Sequence, residues 1–179
     1  MFRVLAISGS LRRASINTGL LRAAQRLAPD ELVVSIYGGL SELPLFNPEL
    51  DALPPAPVLE LKRQLVESDV VLIASPEYAH GVTGAMKNCL DWLVSGSEFV
   101  HKPVALLNAA PRAHHAVESL KETLRTMSWA LIESPAFVIP LGGRSADVDA
   151  FVSDPVVSKQ LRAALDELAA GLRALPSRD

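Results

Sequence analysis

Short apolar runs alternate along the chain with longer segments of helical periodicity. Five runs of four or five mostly aliphatic residues have the length and composition of buried strands, at positions 4–7, 32–36, 70–74, 104–107 and 136–139. In the intervening segments, apolar residues recur at spacings of three and four, which is typical of amphipathic helices. The last such segment follows Asp154 and Pro155, a good N-cap and a good first helical residue. The pattern predicts strands and helices in alternation, ending in a long helix.

This order of elements predicts the fold class. Strands that are apolar throughout, each followed by a helix, are typical of a parallel sheet covered on both faces. Right-handed crossovers then favour a doubly wound, three-layer α/β sandwich with a five-stranded parallel sheet. Ligands of such sheets bind at the carboxyl ends of the strands, where the winding reverses direction. The candidate site therefore comprises the loops at 8–17, 75–84 and 108–115.

Composition adds limits on domain number and function. The chain has 179 residues, of which 49% are hydrophobic and 21% charged, as expected for one globular domain spanning 1–179. A net charge of −3 gives no basic field for nucleic acid. The single cysteine, Cys89, excludes an internal disulfide framework. No apolar run resembles a signal peptide or a membrane span, so we expect a cytoplasmic protein. We expect residues 142–149 to be mobile and 176–179 to be a disordered tail.

The loop after the first strand has the composition of an anion site. A helix N-terminus offers unpaired N–H groups and partial positive charge, which suit a phosphate. Ser10, Ser15 and Asn17 can donate hydrogen bonds, and Arg12 can neutralise the anion. The same residues are compatible with a capped helix whose arginines face solvent. Because Gly9 is the only glycine in this loop, neither a dinucleotide fingerprint nor a P-loop is present, and a terminal monophosphate fits better.

The second loop suits a planar ligand. Residues 75–84 are polar, aromatic and glycine-rich, and they lead into a predicted helix. They offer a stacking surface and backbone hydrogen bonds. An ordinary strand-to-helix connection of this composition is the alternative interpretation.

Several motifs lie in register on these predicted elements. They are Gly9-Ser10-Leu11-Arg12 with Ser15 and Asn17, then Leu43-Pro44-Leu45-Phe46-Asn47, then Pro76-Glu77-Tyr78, and finally Gly84 with Lys87-Asn88 and Asp91-Trp92. Together they resemble the NAD(P)H-dependent FMN reductase family, which also includes quinone, azo-dye and chromate reductases. The resemblance runs from about residue 3 to residue 127. It implies a flavodoxin-like fold with strand order 2-1-3-4-5.

The resemblance also implies a cofactor and the residues that bind it. The FMN phosphate would lie in the first loop, with the isoalloxazine ring between the second and third loops. Backbone N–H groups near Glu77 and Ala110 are candidate donors to the polar edge of the ring. The implied cofactor-binding residues are Ser10, Arg12, Ser15, Ile16, Asn17, Pro76, Glu77, Tyr78, Ala79, Asn108, Ala109, Ala110, Pro111 and Arg112.

The resemblance implies chemistry that belongs to the flavin. NADPH or NADH would give a hydride to FMN, and the electrons would then pass to free flavin, a quinone or a similar small acceptor in a ping-pong cycle. We predict no catalytic side chain and no metal. The expected partners are small molecules and further copies of the chain, in a homodimer or homotetramer, without nucleic acid or membrane.

Some features leave alternatives open. Many relatives carry Asn where Ala79 stands, Ser where Gly81 stands and Pro where Thr83 stands, which puts the identity of the acceptor in doubt. A flavodoxin-like electron carrier without its own NAD(P)H oxidation is one alternative, although the small net charge and Arg12-Arg13 argue against it. A flavin-free protein that kept the fold is another.

Other polar residues have an open role. His80 and His114 could guide a proton, bind the phosphate of the nicotinamide cofactor, or do neither. Arg12 and Arg112 are both candidate partners of a 2′-phosphate. Glu77 is either an acid of the site or part of a salt bridge at its rim or at an interface. Cys89 lies among apolar neighbours, which indicates a buried small hydrophobe rather than a redox thiol.

Overall fold

The computed structural model describes residues 1–112 and 114–175. Its strands are β1 (Phe2–Ser8), β2 (Leu32–Ile36), β3 (Val70–Ala74), β4 (Glu77–Tyr78), β5 (Gly81–Val82), β6 (Pro103–Leu106) and β7 (Ala130–Leu131). Five of them form a parallel sheet in the order β2-β1-β3-β6-β7, while β4 and β5 form a small antiparallel hairpin. Counted along the large sheet alone, this is the predicted order 2-1-3-4-5, which is confirmed.

Helices cover both faces of the sheet. They are α1 (Ile16–Leu27), α2 (Ala56–Glu67), α3 (Gly84–Asp91), α4 (His114–Thr126), α5 (Val148–Ser153) and α6 (Pro155–Ala174). Because alternate strand residues point to opposite faces, each buried strand must be apolar at every position. In β1, Val4 and Ala6 join the core formed with α1, α5 and α6, whereas Leu5 and Ile7 join the core formed with α2, α3 and α4. The predicted three-layer sandwich is confirmed.

The predicted fifth strand at 136–139 is wrong in its position. The edge strand is β7, whose residues pair with Pro103 and Val104. The chain then makes a 3-10 turn over Pro135–Phe137, because proline suits the first position of a turn and the Ser134 hydroxyl accepts a hydrogen bond from Ala136 N at 3.2 Å. Only afterwards does the chain return to the sheet, through a single bridge between Asn108 and Val138.

The C-terminal part differs from the prediction in one respect. Asp154 caps α6 as expected, and its carboxylate accepts from Val156 N at 2.9 Å and Val157 N at 3.0 Å. A further short helix, α5, begins at Val148 within the segment expected to be mobile. The predicted tail at 176–179 lies outside the described residues. Within the described ranges, no helix combines the length and the apolar character needed to cross a membrane.

Candidate functional site

A cleft of about 1020 Å³ lies at the carboxyl ends of the central strands. All three predicted loops contribute to its wall. The predicted site residues that line it are Ser10, Arg12, Ser15, Ile16, Asn17, Pro76, Glu77, Tyr78, Ala109, Ala110, Pro111 and Arg112. Ala79 and Asn108 do not line it. The structure thus brings most of the predicted set together in one place.

The first loop is packed tightly against the second. A Cβ atom on Gly9 would lie 2.1 Å from Oγ of Ser75 and 2.6 Å from its Cβ, so only glycine fits there. Thr83, which is buried, donates from Oγ1 to the carbonyl oxygen of Gly9 at 2.7 Å. The same hydroxyl oxygen accepts from Met86 N at 3.2 Å and so caps α3. Thr83 therefore fixes the first loop to the start of α3.

The hydroxyls of the first loop help to shape the loop and can still donate hydrogen bonds to a ligand. Oγ of Ser15 accepts from Thr18 N at 3.3 Å and caps α1, and Oγ of Ser10 accepts from Arg12 N at 3.3 Å. A hydroxyl that accepts a hydrogen bond keeps its own O–H to donate. The capping interpretation and the phosphate interpretation are therefore compatible, because both can hold at once.

The second loop forms the hairpin of β4 and β5 at the edge of the cleft. Its turn residues, Ala79 and His80, have φ angles of 49° and 60°. Both values lie in the left-handed region, where two-residue hairpin turns usually place Asn and Gly. The turn holds Tyr78 on the wall of the cleft, where 52% of the residue is exposed.

The second and third loops are joined through Glu77. Its Oε2 accepts a hydrogen bond from Ala116 N, in the first turn of α4, at 2.8 Å. This acid therefore caps α4. In the third loop, Oδ1 of Asn108 accepts from Ala110 N at 2.9 Å. The Ala110 N–H, a candidate donor to the flavin ring, is thus already engaged, and Asn108 shapes the loop without lining the cleft.

A fourth segment of the wall was missed from the sequence. Residues 140–146 line the cleft and include Gly142 and Gly143, whose φ angles are 54° and 75°. The segment passes beside α1, where a Cβ atom on Gly19 would lie 3.0 Å from the carbonyl oxygen of Ala146. Arg144 lines the cleft and forms an ion pair with Asp154. The Gly-Gly-Arg sequence at 142–144, after the last predicted strand, is the signal that could have indicated this wall segment.

The lining of the cleft is electropositive, although the chain carries a net charge of −3. Arg12, Arg112 and Arg144 line it from three different segments. Among the described residues that line the cleft, Glu77 is the one acid, and its carboxylate accepts a hydrogen bond from the first turn of α4. The pKa of Asp154 is lowered by the hydrogen bond from Val157 N–H and by Arg144, so this carboxylate stays charged and holds Arg144 in place.

Cys89 is no part of this site. It is fully buried in α3 between apolar neighbours, and burial raises the pKa of its thiol to about 12. The thiol therefore stays protonated at neutral pH, as a buried small hydrophobe should. Across residues 1–112 and 114–175, no group of three or more His, Cys, Asp and Glu side chains is arranged to hold a metal ion.

Comparisons with known proteins identify the family. The sequence profile described as "NADPH-dependent FMN reductase" matches residues 2–143. An NAD(P)H-dependent FMN reductase of Pseudomonas aeruginosa is 30% identical over 97% of this chain and 96% of its own. An NADPH:quinone oxidoreductase of Arabidopsis thaliana is 41% identical over 60% of this chain and 58% of its own. The chain spans 46% to 58% of the length of the plant relatives that it matches.

A solved structure shows the same similarity. The flavoenzyme NAD(P)H:(acceptor) oxidoreductase FerB of Paracoccus denitrificans superposes with a TM-score of 0.79 at 27% identity, covering 97% of this chain and 98% of its own. The fold is that of a flavodoxin-like α/β protein, with its cleft at the switch point of the sheet. The chain belongs to the NADPH-dependent FMN reductase family. Membership makes it an oxidoreductase with FMN and NAD(P)H as cofactors, as the resemblance predicted.

Proposed function

We propose that this chain uses FMN in the cleft to pass electrons from NAD(P)H to free flavin, a quinone or a similarly small acceptor. The observation that carries the proposal is that one cleft combines a helix N-terminus rich in hydroxyls and arginine with two loops suited to a flat ring. A cleft of about 1020 Å³ is of the size that holds a cofactor. The relatives named as quinone oxidoreductases support the class of acceptor.

The first loop and α1 are proposed to hold the phosphate of FMN. Ser10, Ser15 and Asn17 would donate hydrogen bonds, and Arg12 would supply the opposing charge. Arg144 is added to this set, because its loop passes beside α1 and Asp154 orients its guanidinium group. The N-terminus of α1, which is the positive end of its helix dipole, would also favour the phosphate.

The second and third loops are proposed to hold the ring. Pro76, Glu77 and Tyr78 would lie on one side and the segment 109–112 on the other. When bound, FMN supplies the redox chemistry between the nicotinamide and the acceptor. The protein's part is to orient both substrates and to stabilise developing negative charge through backbone N–H groups near Glu77. No side chain of this cleft is needed as a nucleophile or as an acid or base.

The two substrates are proposed to use the cleft in turn. Initial rates of NADPH oxidation, measured at several fixed concentrations of a quinone, test this. A ping-pong cycle gives parallel lines in a double-reciprocal plot. Intersecting lines would contradict the shared cleft, and no oxidation of NADPH or NADH with either quinone or FMN would contradict the reductase function.

We also propose that the 1–179 chain is a single domain that assembles as a homodimer or homotetramer in the cytoplasm. Support for assembly comes from Leu45, which is 84% exposed although hydrogen bonds hold the residues on either side of it in place. The Pro44 carbonyl oxygen accepts from Nε1 of Trp92 at 2.8 Å, and Phe46 N donates to Oδ1 of Asn88 at 2.8 Å. Leu53 of the same loop is 85% exposed, and several exposed apolar side chains in one segment suit an interface. Light scattering tests this, and a mass equal to one 19.2 kDa chain would contradict it.

A further inference from the structure

Two ring contacts join three histidines of the second and third loops. The ring centroids of His80 and His115 are 4.4 Å apart, and those of His114 and His115 are 4.0 Å apart. His80 belongs to the hairpin turn, and the other two begin α4. All three are exposed, so their ring nitrogens are accessible to a ligand. We call this set the histidine rim.

The histidine rim is continuous with the lining of the cleft. Tyr78, two residues before His80, lines the cleft, and so does Arg112, two residues before His114. Nδ1 of His114 lies 3.2 Å from the carbonyl oxygen of Arg112, which ties the two together. A ligand that extends out of the cleft past Tyr78 and Arg112 would therefore approach the three imidazoles.

The nearest acidic groups along the sequence are already engaged. Glu77 accepts the hydrogen bond from Ala116 N, and Glu118 is paired with Nζ of Lys121 at 3.2 Å. Imidazole N–H groups and a guanidinium group are together the donor set for a phosphate dianion.

We propose that Arg112 and the histidine rim bind the 2′-phosphate of the nicotinamide dinucleotide, so that NADPH is preferred over NADH. The inference rests on the proposed function, because it assumes that the nicotinamide cofactor uses this cleft. It also assigns different roles to Arg12 and Arg112, which the sequence left as equal candidates for binding the 2′-phosphate. Arg12 lies in the loop before α1, where the FMN phosphate is proposed, whereas Arg112 lies beside the histidines.

The test is a binding measurement that needs no turnover. Adenosine 2′,5′-bisphosphate and adenosine 5′-monophosphate are titrated by calorimetry into the FMN-loaded protein. The 2′-phosphate should strengthen binding by about tenfold or more, as charge-assisted hydrogen bonds do. In the double variant His80→Gln with His115→Gln, most of that preference should be lost. His101→Gln is the matched control, because His101 precedes β6 at the opposite end of the sheet.

The possible results are distinct. A wild-type protein that does not prefer the bisphosphate, or a double variant that keeps the full preference, overturns the inference. Retained FMN in the double variant shows that it is folded, and Arg112→Gln should lower the same preference without altering the histidines. The proposed function is judged separately, by whether NADH or NADPH is oxidised at all. Equal rates with NADH and NADPH would contradict the inference but not the proposed reductase function.

Discussion

The carboxylate of Glu77 and the backbone N–H of Ala116 are joined by a 2.8 Å hydrogen bond. Through it, the hairpin that carries Tyr78 is fixed to the first turn of α4, and the two loops proposed to hold the flavin ring keep their spacing. A negative charge at a helix N-terminus is favourable in its own right.

Replacing Glu77 should therefore affect both stability and cofactor binding. We expect Glu77→Ala to lower the free energy of unfolding by about 1–2 kcal/mol, because a partly buried hydrogen bond from the helix N-terminus to a charged carboxylate is lost. Glu77→Gln keeps an acceptor at the same position and should cost about half as much. Urea denaturation of the apo protein measures the stability, and a titration with FMN measures the affinity. A Glu77→Ala protein as stable as the wild type would remove the proposed role.

The phosphate site can be tested by comparing two flavins. The double variant Arg12→Ala with Ser15→Ala should bind FMN about 10- to 100-fold more weakly, because charge-assisted hydrogen bonds are lost. Its affinity for riboflavin, which has no phosphate, should change little. Arg13→Ala is the control, since Arg13 carries the same charge and does not line the cleft. Unchanged FMN affinity of the double variant across a salt series would place the phosphate elsewhere.

Arg144 provides a second, independent test of the same end of the cleft. We expect Arg144→Gln to weaken FMN binding by about tenfold and riboflavin binding hardly at all. Arg26→Gln is the matched control, because Arg26 forms a comparable surface ion pair with Asp149 at the far end of α1. Fluorescence quenching of the flavin measures both affinities. Equal effects of Arg144→Gln on FMN and riboflavin would show that Arg144 shapes the wall without contacting the phosphate.

Thr83 connects the stability of α3 with the shape of the first loop. Thr83→Val removes the bond to the Gly9 carbonyl oxygen and the cap on Met86 N, so we expect a loss of about 1–3 kcal/mol in the free energy of unfolding. Thr83→Ser keeps the hydroxyl and should retain most of the stability. Thermal denaturation of both variants, with and without FMN, measures the difference. If valine and serine behave alike, the hydroxyl has no such role.

The fold was predictable because its signal is strong and local. Buried parallel strands are apolar on both faces, so residues 4–7 of β1 and all of β3 stand out from the helices as uninterrupted aliphatic runs. The position of the loops at their carboxyl ends then follows from topology, which is why most of the predicted site residues line one cleft. The edge strand β7 has only two residues, and Pro135 turns the chain away after it, so the apolar run at 136–139 gave the wrong position.

Other features depend on tertiary contacts that no local pattern reveals. The hairpin turn at Ala79 and His80 has left-handed backbone without glycine or asparagine, so the usual turn signal is absent. Lys102 is buried, and its Nζ donates to the carbonyl oxygens of Leu65 and Ser68 at the end of α2. The contact of the 140–146 segment with α1, which brings Arg144 into the wall, likewise exists only in the folded chain.

The most direct test of the reductase function is the visible spectrum of the FMN-loaded protein, recorded without oxygen before and after NADPH is added. We predict that the absorption band of oxidised flavin is present at first, disappears on addition of NADPH, and returns when a quinone is supplied. A bound flavin whose band persists with both NADPH and NADH would contradict the reductase function and favour an electron carrier that depends on a separate reductase.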